Sequence, residues 1–177
     1  MQYQSTILTV PGIGGSGPQH WQSLWEREYG FTRVEQRDWE TPACDEWADT
    51  LNGYVQKFDP ADLILVSHSA ACPMTIHWVK KYNVKIKGLL LVAPADADAA
   101  TFPAGATGFA PVPLFQLPFP SIVVSSTNDY FVTLERAQQF AKAWGSDFVN
   151  IGEAGHINVA SGFGEWDEGL EILKRLD

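Results

Sequence analysis

Basic residues are scarce in this chain: Lys and Arg number 12 against 21 Asp and Glu, giving a formal net charge of −9 over 177 residues. Such a balance repels phosphate backbones and anionic bilayers, so neither nucleic acid nor a membrane surface is an expected partner. The densest basic stretch, Lys80, Lys81, Lys85 and Lys87, reads as a solvated helix end and turn. No apolar run approaches the ~18 residues that a membrane helix needs. The opening Met1-Gln2-Tyr3-Gln4-Ser5 has neither the basic start nor the apolar stretch of a secretory signal. Cysteine is rare too. Cys44 and Cys72 are the two in the chain, with no C-x-x-C pair and no histidine at ligand spacing. Two unpaired thiols in a reducing compartment is the simpler reading, and a cytoplasmic protein is expected.

What is present is a globular balance, 45% apolar and 19% charged. A chain of this length buries roughly 70% of its unfolded surface and needs no disulfide or metal staple. One domain, residues 1–177, is expected. Short apolar, β-rich runs predict strands at 6–10, 62–66, 88–92, 121–125 and 147–151, with an extended stretch at 31–36. Helical spacing of apolar residues marks 19–28, 45–58 and 70–82. Thr133 reads as the cap of a helix that runs to Trp144 and stops at Gly145. A last helix is expected over 165–176. Alternation of this kind predicts an α/β protein with a six-stranded, mostly parallel, doubly wound sheet flanked by helices. Residues 94–120 break the rhythm, with six prolines and with Phe102, Phe109, Phe115 and Phe119. The segment reads either as a functional loop or as a cover for the sheet edge.

The chemistry concentrates at Ser67-His68-Ser69-Ala70-Ala71, directly after a buried strand and directly before a helix. That is the setting of a nucleophile elbow. The turn is so tight that residues two before and two after the serine must be small. Glycine is usual there; Ser67 and Ala71 keep the steric logic with a relaxed pattern. The elbow lifts the Ser69 hydroxyl clear of the sheet and aims the first N–H groups of the helix, starting with Ala70, at a developing oxyanion. A serine that merely caps a helix is the bland alternative.

A serine hydroxyl needs a base. Of the four histidines, His20 opens the first helix, His68 is expected to point away from the elbow tip, and His77 lies in mid-helix. His156, in Gly152-Glu153-Ala154-Gly155-His156, follows the last strand and is the expected base, in keeping with the chain order serine, acid, histidine. The acid should follow a strand between them. Asp129 is favoured; Asp96 and Asp98 are the alternatives. The glycine-rich stretch Pro11-Gly12-Ile13-Gly14-Gly15-Ser16-Gly17 has no lysine for a phosphate loop and no well-placed acid for a dinucleotide site. It is expected instead to face Ser69 across the switch point and to donate the Ile13 N–H to the oxyanion.

Beyond these separate readings, the chain resembles the small α/β-hydrolases related to retinoblastoma-binding protein 9. The likeness lies in Val10-Pro11-Gly12 with His20-Trp21, His68-Ser69, Ser125-Ser126-Thr127-Asn128-Asp129, Trp144-Gly145-Ser146, and Gly155-His156-Ile157-Asn158 with Ser161-Gly162-Phe163-Gly164. It runs over nearly the whole length. The resemblance implies an α/β-hydrolase core without a large lid, a triad of Ser69, Asp129 and His156, and action on ester or peptide bonds. Pro42-Ala43-Cys44-Asp45-Glu46 has proline where an LxCxE motif needs leucine, so no retinoblastoma binding is carried over. The expected activity is a carboxylesterase-like serine hydrolase that cleaves small ester, or amide, substrates through an acyl-enzyme and needs no cofactor or metal. The alternatives are an aminopeptidase-like amide hydrolase, with Glu153 or Asp96 holding the substrate amine, and a catalytically silent hydrolase-fold binding protein. The Phe-rich loop is expected either to line an apolar pocket or to pack into the core.

Overall fold

A computed structural model describes residues 2–177. Six strands, β1 Thr6–Val10, β2 Thr32–Arg33, β3 Leu63–His68, β4 Gly88–Val92, β5 Ser121–Ser125 and β6 Asp147–Asn150, alternate with helices except between β4 and β5, where the connection is irregular. The helices are α1 Trp21–Tyr29, α2 Cys44–Val55, α3 Ala71–Tyr82, α4 Leu134–Trp144 and α5 Asp167–Leu173. The strands lie in the order β2-β1-β3-β4-β5-β6. Every pairing is parallel. The winding reverses between β1 and β3, so the loops after these two strands face each other across the crevice where such sheets bind ligands.

The sheet is covered on both faces, which is why its central strands read as continuous apolar runs. All six residues of β3 are buried. Leu63 and Leu65 join Trp47, Leu51, Met74, Ile76, Phe140 and Trp144 from α2, α3 and α4. Ile64 and Val66 point the other way, among Trp21, Trp25, Leu170 and Leu173 from α1 and α5. The period-2 alternation of one strand thus supplies both halves of the core.

Some boundaries differ from the sequence expectation. The extended stretch at 31–36 pairs only at Thr32 and Arg33, as an edge strand beside β1. Strand β3 runs two residues further than its apolar run, because Ser67 and His68 pair with Leu91 and Val92 on the way into the elbow. The last helix starts later, after Trp166, and its end tightens into a 3₁₀ turn over Lys174–Leu176.

Within residues 94–120 the backbone makes one isolated bridge, Thr107 to Ala43. The segment packs its phenylalanines into or against the core, and residues 113–116 and 118 also wall a surface hollow beside Val79 and Asn83 at the end of α3. Phe109 and Phe119 are buried, and Phe102 and Phe115 lie against the same cluster. Trp144 donates its indole N–H to the Pro113 carbonyl at 2.9 Å, and the His77 ring donates to the Phe109 carbonyl at 2.8 Å. An irregular chain stays fixed here because side chains from α3 and α4 take up its carbonyls.

Candidate active site

Ser69 sits where β3 turns into α3, with φ of +58°. Left-handed backbone is unfavourable for a residue with a Cβ, and it persists only where the surroundings enforce it. Here the enforcement is visible. Ser69 N donates to the Val92 carbonyl at 3.0 Å, and its own carbonyl accepts from Ala95 N at 3.3 Å. Ser67 is buried with its hydroxyl 2.8 Å from that of Thr75, which donates to the Ala71 carbonyl. Ser67 and Ala71 are both fully buried, so a larger side chain at either flank would have to displace packed neighbours. The buried Cys72 thiol lies 3.4 Å from the carbonyls of Ser67 and Val92, and burial pushes its pKa well up.

The structure brings Ser69, His156 and Asp129 into one hydrogen-bonded line. His156 Nε2 is 2.7 Å from Ser69 Oγ. Its Nδ1 is 2.8 Å and 3.0 Å from the two carboxylate oxygens of Asp129. The Asp129 side chain is fully buried, against 10% exposure for His156. A carboxylate only accepts, so a neutral ring carries its proton on Nδ1 and leaves Nε2 free to accept from the serine hydroxyl. Asp129 also accepts from Phe131 N at 2.8 Å, and the Phe131 ring packs 4.7 Å from that of His156.

Asp96 and Asp98, the alternative acids, are engaged elsewhere. Arg136 holds Asp96 at 3.1 Å and Asp98 at 2.6 Å, tying the start of the irregular segment to α4.

The loop bearing His156 is fixed from several sides. Asn128 Oδ1 accepts from Gly155 N at 2.7 Å, and Ser126 Oγ donates to the Gly155 carbonyl at 2.5 Å. Trp21 donates its indole N–H to the Ile157 carbonyl at 2.8 Å. His68 Nε2 lies 3.0 Å from the His156 carbonyl, and since a carbonyl only accepts, that nitrogen donates. The His68 side chain does point away from the elbow tip, yet it reaches under the neighbouring loop and supports it. Spacing along the chain carries no sign of that contact.

The His20 ring lies tilted against that of His68, with centroids 4.8 Å apart. It caps α1 by accepting from Gln22 N at 3.2 Å through Nδ1. Burial, then the nearby charge of Arg33, pushes the His20 pKa down to about 4. Burial likewise holds His68 well below the usual imidazole range. Both rings are therefore neutral at physiological pH.

The glycine loop after β1 lies directly over the elbow. A Cβ at Gly12 would fall 2.8 Å from the His68 carbonyl and 2.9 Å from Ser69 Cβ, so only glycine fits. Ile13 and Ser69 line one open cavity of about 240 Å³, shared with His20, His68, His156 and Val159. Among the described residues, no Asp, Glu, Lys or Arg lines it. A larger hollow of about 640 Å³ beside Glu46 and Trp47 lies away from Ser69, so size does not mark the site.

A doubly wound parallel sheet with a strained serine at the first turn after β3, and an imidazole from the last loop beside it, defines the α/β-hydrolase class. The sequence profile of the serine hydrolase family matches residues 7–175, and the chain belongs to that family. It is a hydrolase by that membership. A YdeN-like hydrolase from Pectobacterium atrosepticum is 34% identical, with a TM-score of 0.86 over 97% of this chain and 89% of that one. The ydeN gene product of B. subtilis shares the fold at 15% identity and a TM-score of 0.74, over 98% of both chains. RedJ, a thioesterase from the prodiginine pathway of Streptomyces coelicolor, does so at 14% and 0.67, over 97% of this chain and 86% of that one. A search of curated proteins gave no match. No helix among the described residues is long and apolar enough to cross a membrane.

Proposed function

We propose that this chain hydrolyses small, uncharged carboxylic esters through an acyl-enzyme on Ser69. The observation that carries the reading is the line Ser69 Oγ, His156, Asp129, with contacts of 2.7 and 2.8 Å. His156 takes the hydroxyl proton as Ser69 attacks the carbonyl carbon. The N–H groups of Ile13 and Ala70 receive the oxyanion, a donor of this kind being worth about 3 kcal/mol in the transition state. The imidazolium, steadied by Asp129, gives its proton to the leaving alcohol, and water repeats the sequence on the acyl-enzyme.

The cavity's lack of charge supports esters over amino-terminal peptides. A free ammonium would need a carboxylate, and none lines the cavity. Of the two acids weighed for that role, Asp96 is paired with Arg136 and Glu153 is exposed to solvent. Exposed apolar side chains flank the site. Val159 at the rim is 44% exposed, and Tyr130 is 71% exposed with its ring 5.1 Å from that of Phe131. The silent binding-protein alternative loses ground because the three side chains are held in working order.

The same proposal takes residues 1–177 as one catalytic domain acting in the cytoplasm, in keeping with two buried, unpaired thiols. The likeness to the retinoblastoma-binding protein 9 group belongs with this reading: His20 and His68 line the cavity with Ser69, and Trp21 packs against both and bonds the Ile157 carbonyl.

A fluorophosphonate probe tests the reading. Wild type should label, and Ser69→Ala and His156→Ala should not. Labelling of Ser69→Ala at the wild-type rate would end the assignment. p-Nitrophenyl acetate and butyrate should be cleaved and aminoacyl p-nitroanilides left intact; the reverse preference would favour the amide hydrolase.

A further inference from the structure

The loop that faces Ser69 is held in an unusual backbone. Gly14, Gly15 and Ser16 have φ of +82°, +71° and +46° in succession. Few backbone bonds hold them: Gly14 N to the Trp39 carbonyl at 2.9 Å and Gly15 N to the Gly12 carbonyl at 3.0 Å. The carbonyls of Gly15 and Ser16 turn the other way, toward β2, and both accept from Arg33. Arg33 donates through Nη1 to the Gly15 carbonyl and through Nη2 to the Ser16 carbonyl at 3.1 Å. The same Nη2 reaches Ser23 Oγ at 2.5 Å, and Ser23 in turn donates to the Ser16 carbonyl at 2.6 Å.

Arg33 is itself fixed. Its Nε donates to Glu26 Oε2 at 2.9 Å, and the other oxygen of Glu26 accepts from the buried Thr9 hydroxyl at 2.5 Å. Both members of the pair are largely covered, with side-chain exposures of 18% for Arg33 and 15% for Glu26. A planar fork locked by a carboxylate can fix two successive carbonyls at once, which the single ammonium of lysine cannot do. Ser16 is caught on its other side by Gln22, whose amide spans from the Ser16 hydroxyl at 2.7 Å to the Val66 carbonyl of β3 at 3.0 Å.

We infer that Arg33, held by Glu26, is a positioning residue that sets the 12–17 loop at the distance from Ser69 where the Ile13 N–H meets the oxyanion. Arg33 touches no reacting atom. Its effect is geometric: a peptide turned or withdrawn by a fraction of an ångström loses its transition-state hydrogen bond while substrate still enters the cavity. The loss therefore falls on kcat rather than KM. The inference rests on the esterase reading and deepens it by assigning the support of the oxyanion loop.

The test compares wild type with Arg33→Met, Arg33→Lys and Glu26→Gln, using p-nitrophenyl acetate kinetics and amide hydrogen exchange. For Arg33→Met, kcat should fall about 10- to 100-fold, short of the loss for a deleted oxyanion donor, with KM within about threefold. Arg33→Lys should rescue little, and Glu26→Gln should lose kcat to a smaller degree. Exchange should quicken in residues 12–17 and stay unchanged in 66–72. If Arg33→Met does not fold, Arg33→Lys and Glu26→Gln carry the same comparison. Variants that keep wild-type kcat, or whose exchange quickens evenly along the chain, would overturn the inference and leave the esterase reading standing. A wild type that neither labels with fluorophosphonate nor cleaves the ester overturns that reading first, and this inference with it.

Discussion

His68 donates a hydrogen bond to the main chain of His156, 3.0 Å away, so the residue just before the elbow serine supports the loop that brings the imidazole to it. The two ends of the Ser69–His156 contact are therefore not placed independently. The bond is buried, and removing its donor leaves the His156 carbonyl unsatisfied, at a cost of about 1–3 kcal/mol. His68→Leu is expected to lower kcat/KM for p-nitrophenyl acetate by about tenfold or more. His68→Gln can still donate and should retain more activity. Equal activity in all three forms would show that the loop is held without this bond.

The two acid stations separate cleanly by substitution. Asp129→Asn replaces an acceptor with a group that can donate to Nδ1, which favours the wrong imidazole tautomer. A loss of about 10⁴-fold in kcat is expected. Asp96→Asn weakens the pairing with Arg136 and should leave the rate near wild type while lowering the melting temperature. Steady-state kinetics and thermal melts on both variants check the contrast. A slow Asp96→Asn enzyme beside a fast Asp129→Asn enzyme would reverse the assignment.

The left-handed backbone at Ser69 predicts that the active enzyme carries strain. Ser69→Gly relieves the Cβ conflict at φ +58° and should raise unfolding stability by about 1 kcal/mol while abolishing fluorophosphonate labelling. Ser69→Ala keeps the Cβ and should show the loss of labelling without that gain. Urea titrations of the three proteins decide the matter.

Acid sensitivity follows from the buried imidazoles. His20 has its pKa lowered to about 4 in the folded protein, with Arg33, His68 and His156 around it. Between pH 6.5 and 4 the unfolded chain therefore binds the extra proton and the native state does not. Stability should be complete above pH 6.5 and fall as pH drops toward 4, His20 contributing about 3 kcal/mol of that loss. His68 should add to the slope in the same direction. His20→Asn keeps a helix cap without the titrating ring, so its stability should change less between pH 7.5 and 5 in urea melts.

Much of this fold could be read from local signals because its elements have clear punctuation. Gly88 opens β4, Pro120 precedes β5, and Thr133 and Gly145 bracket α4, so these boundaries fall where the sequence puts them. Edge strand β2 was harder. Only Thr32 and Arg33 of the extended stretch pair, with Leu8 and Thr9 of β1, and no property of residues 31–36 encodes that. The stations of Ser69, Asp129 and His156 were legible because each follows a strand that ends at the same edge of the sheet. The supports were not. Arg33 reads as an ordinary charge on an edge strand, and His68 as a bystander, until folding brings the carbonyls of Gly15, Ser16 and His156 to them. The phenylalanines of residues 94–120 carried a signal of the wrong kind: aromatic content marked the segment as apolar without saying which side of it was covered.

The two outermost strands of the sheet are also its shortest, with two residues in β2 and four in β6. Asp147, at the start of β6, is turned outward to Arg175. A neighbouring copy approaching either border finds a few unpaired amides and a charge, too little to zip onto. A sheet so apolar in its middle is thereby kept from growing sideways into aggregates.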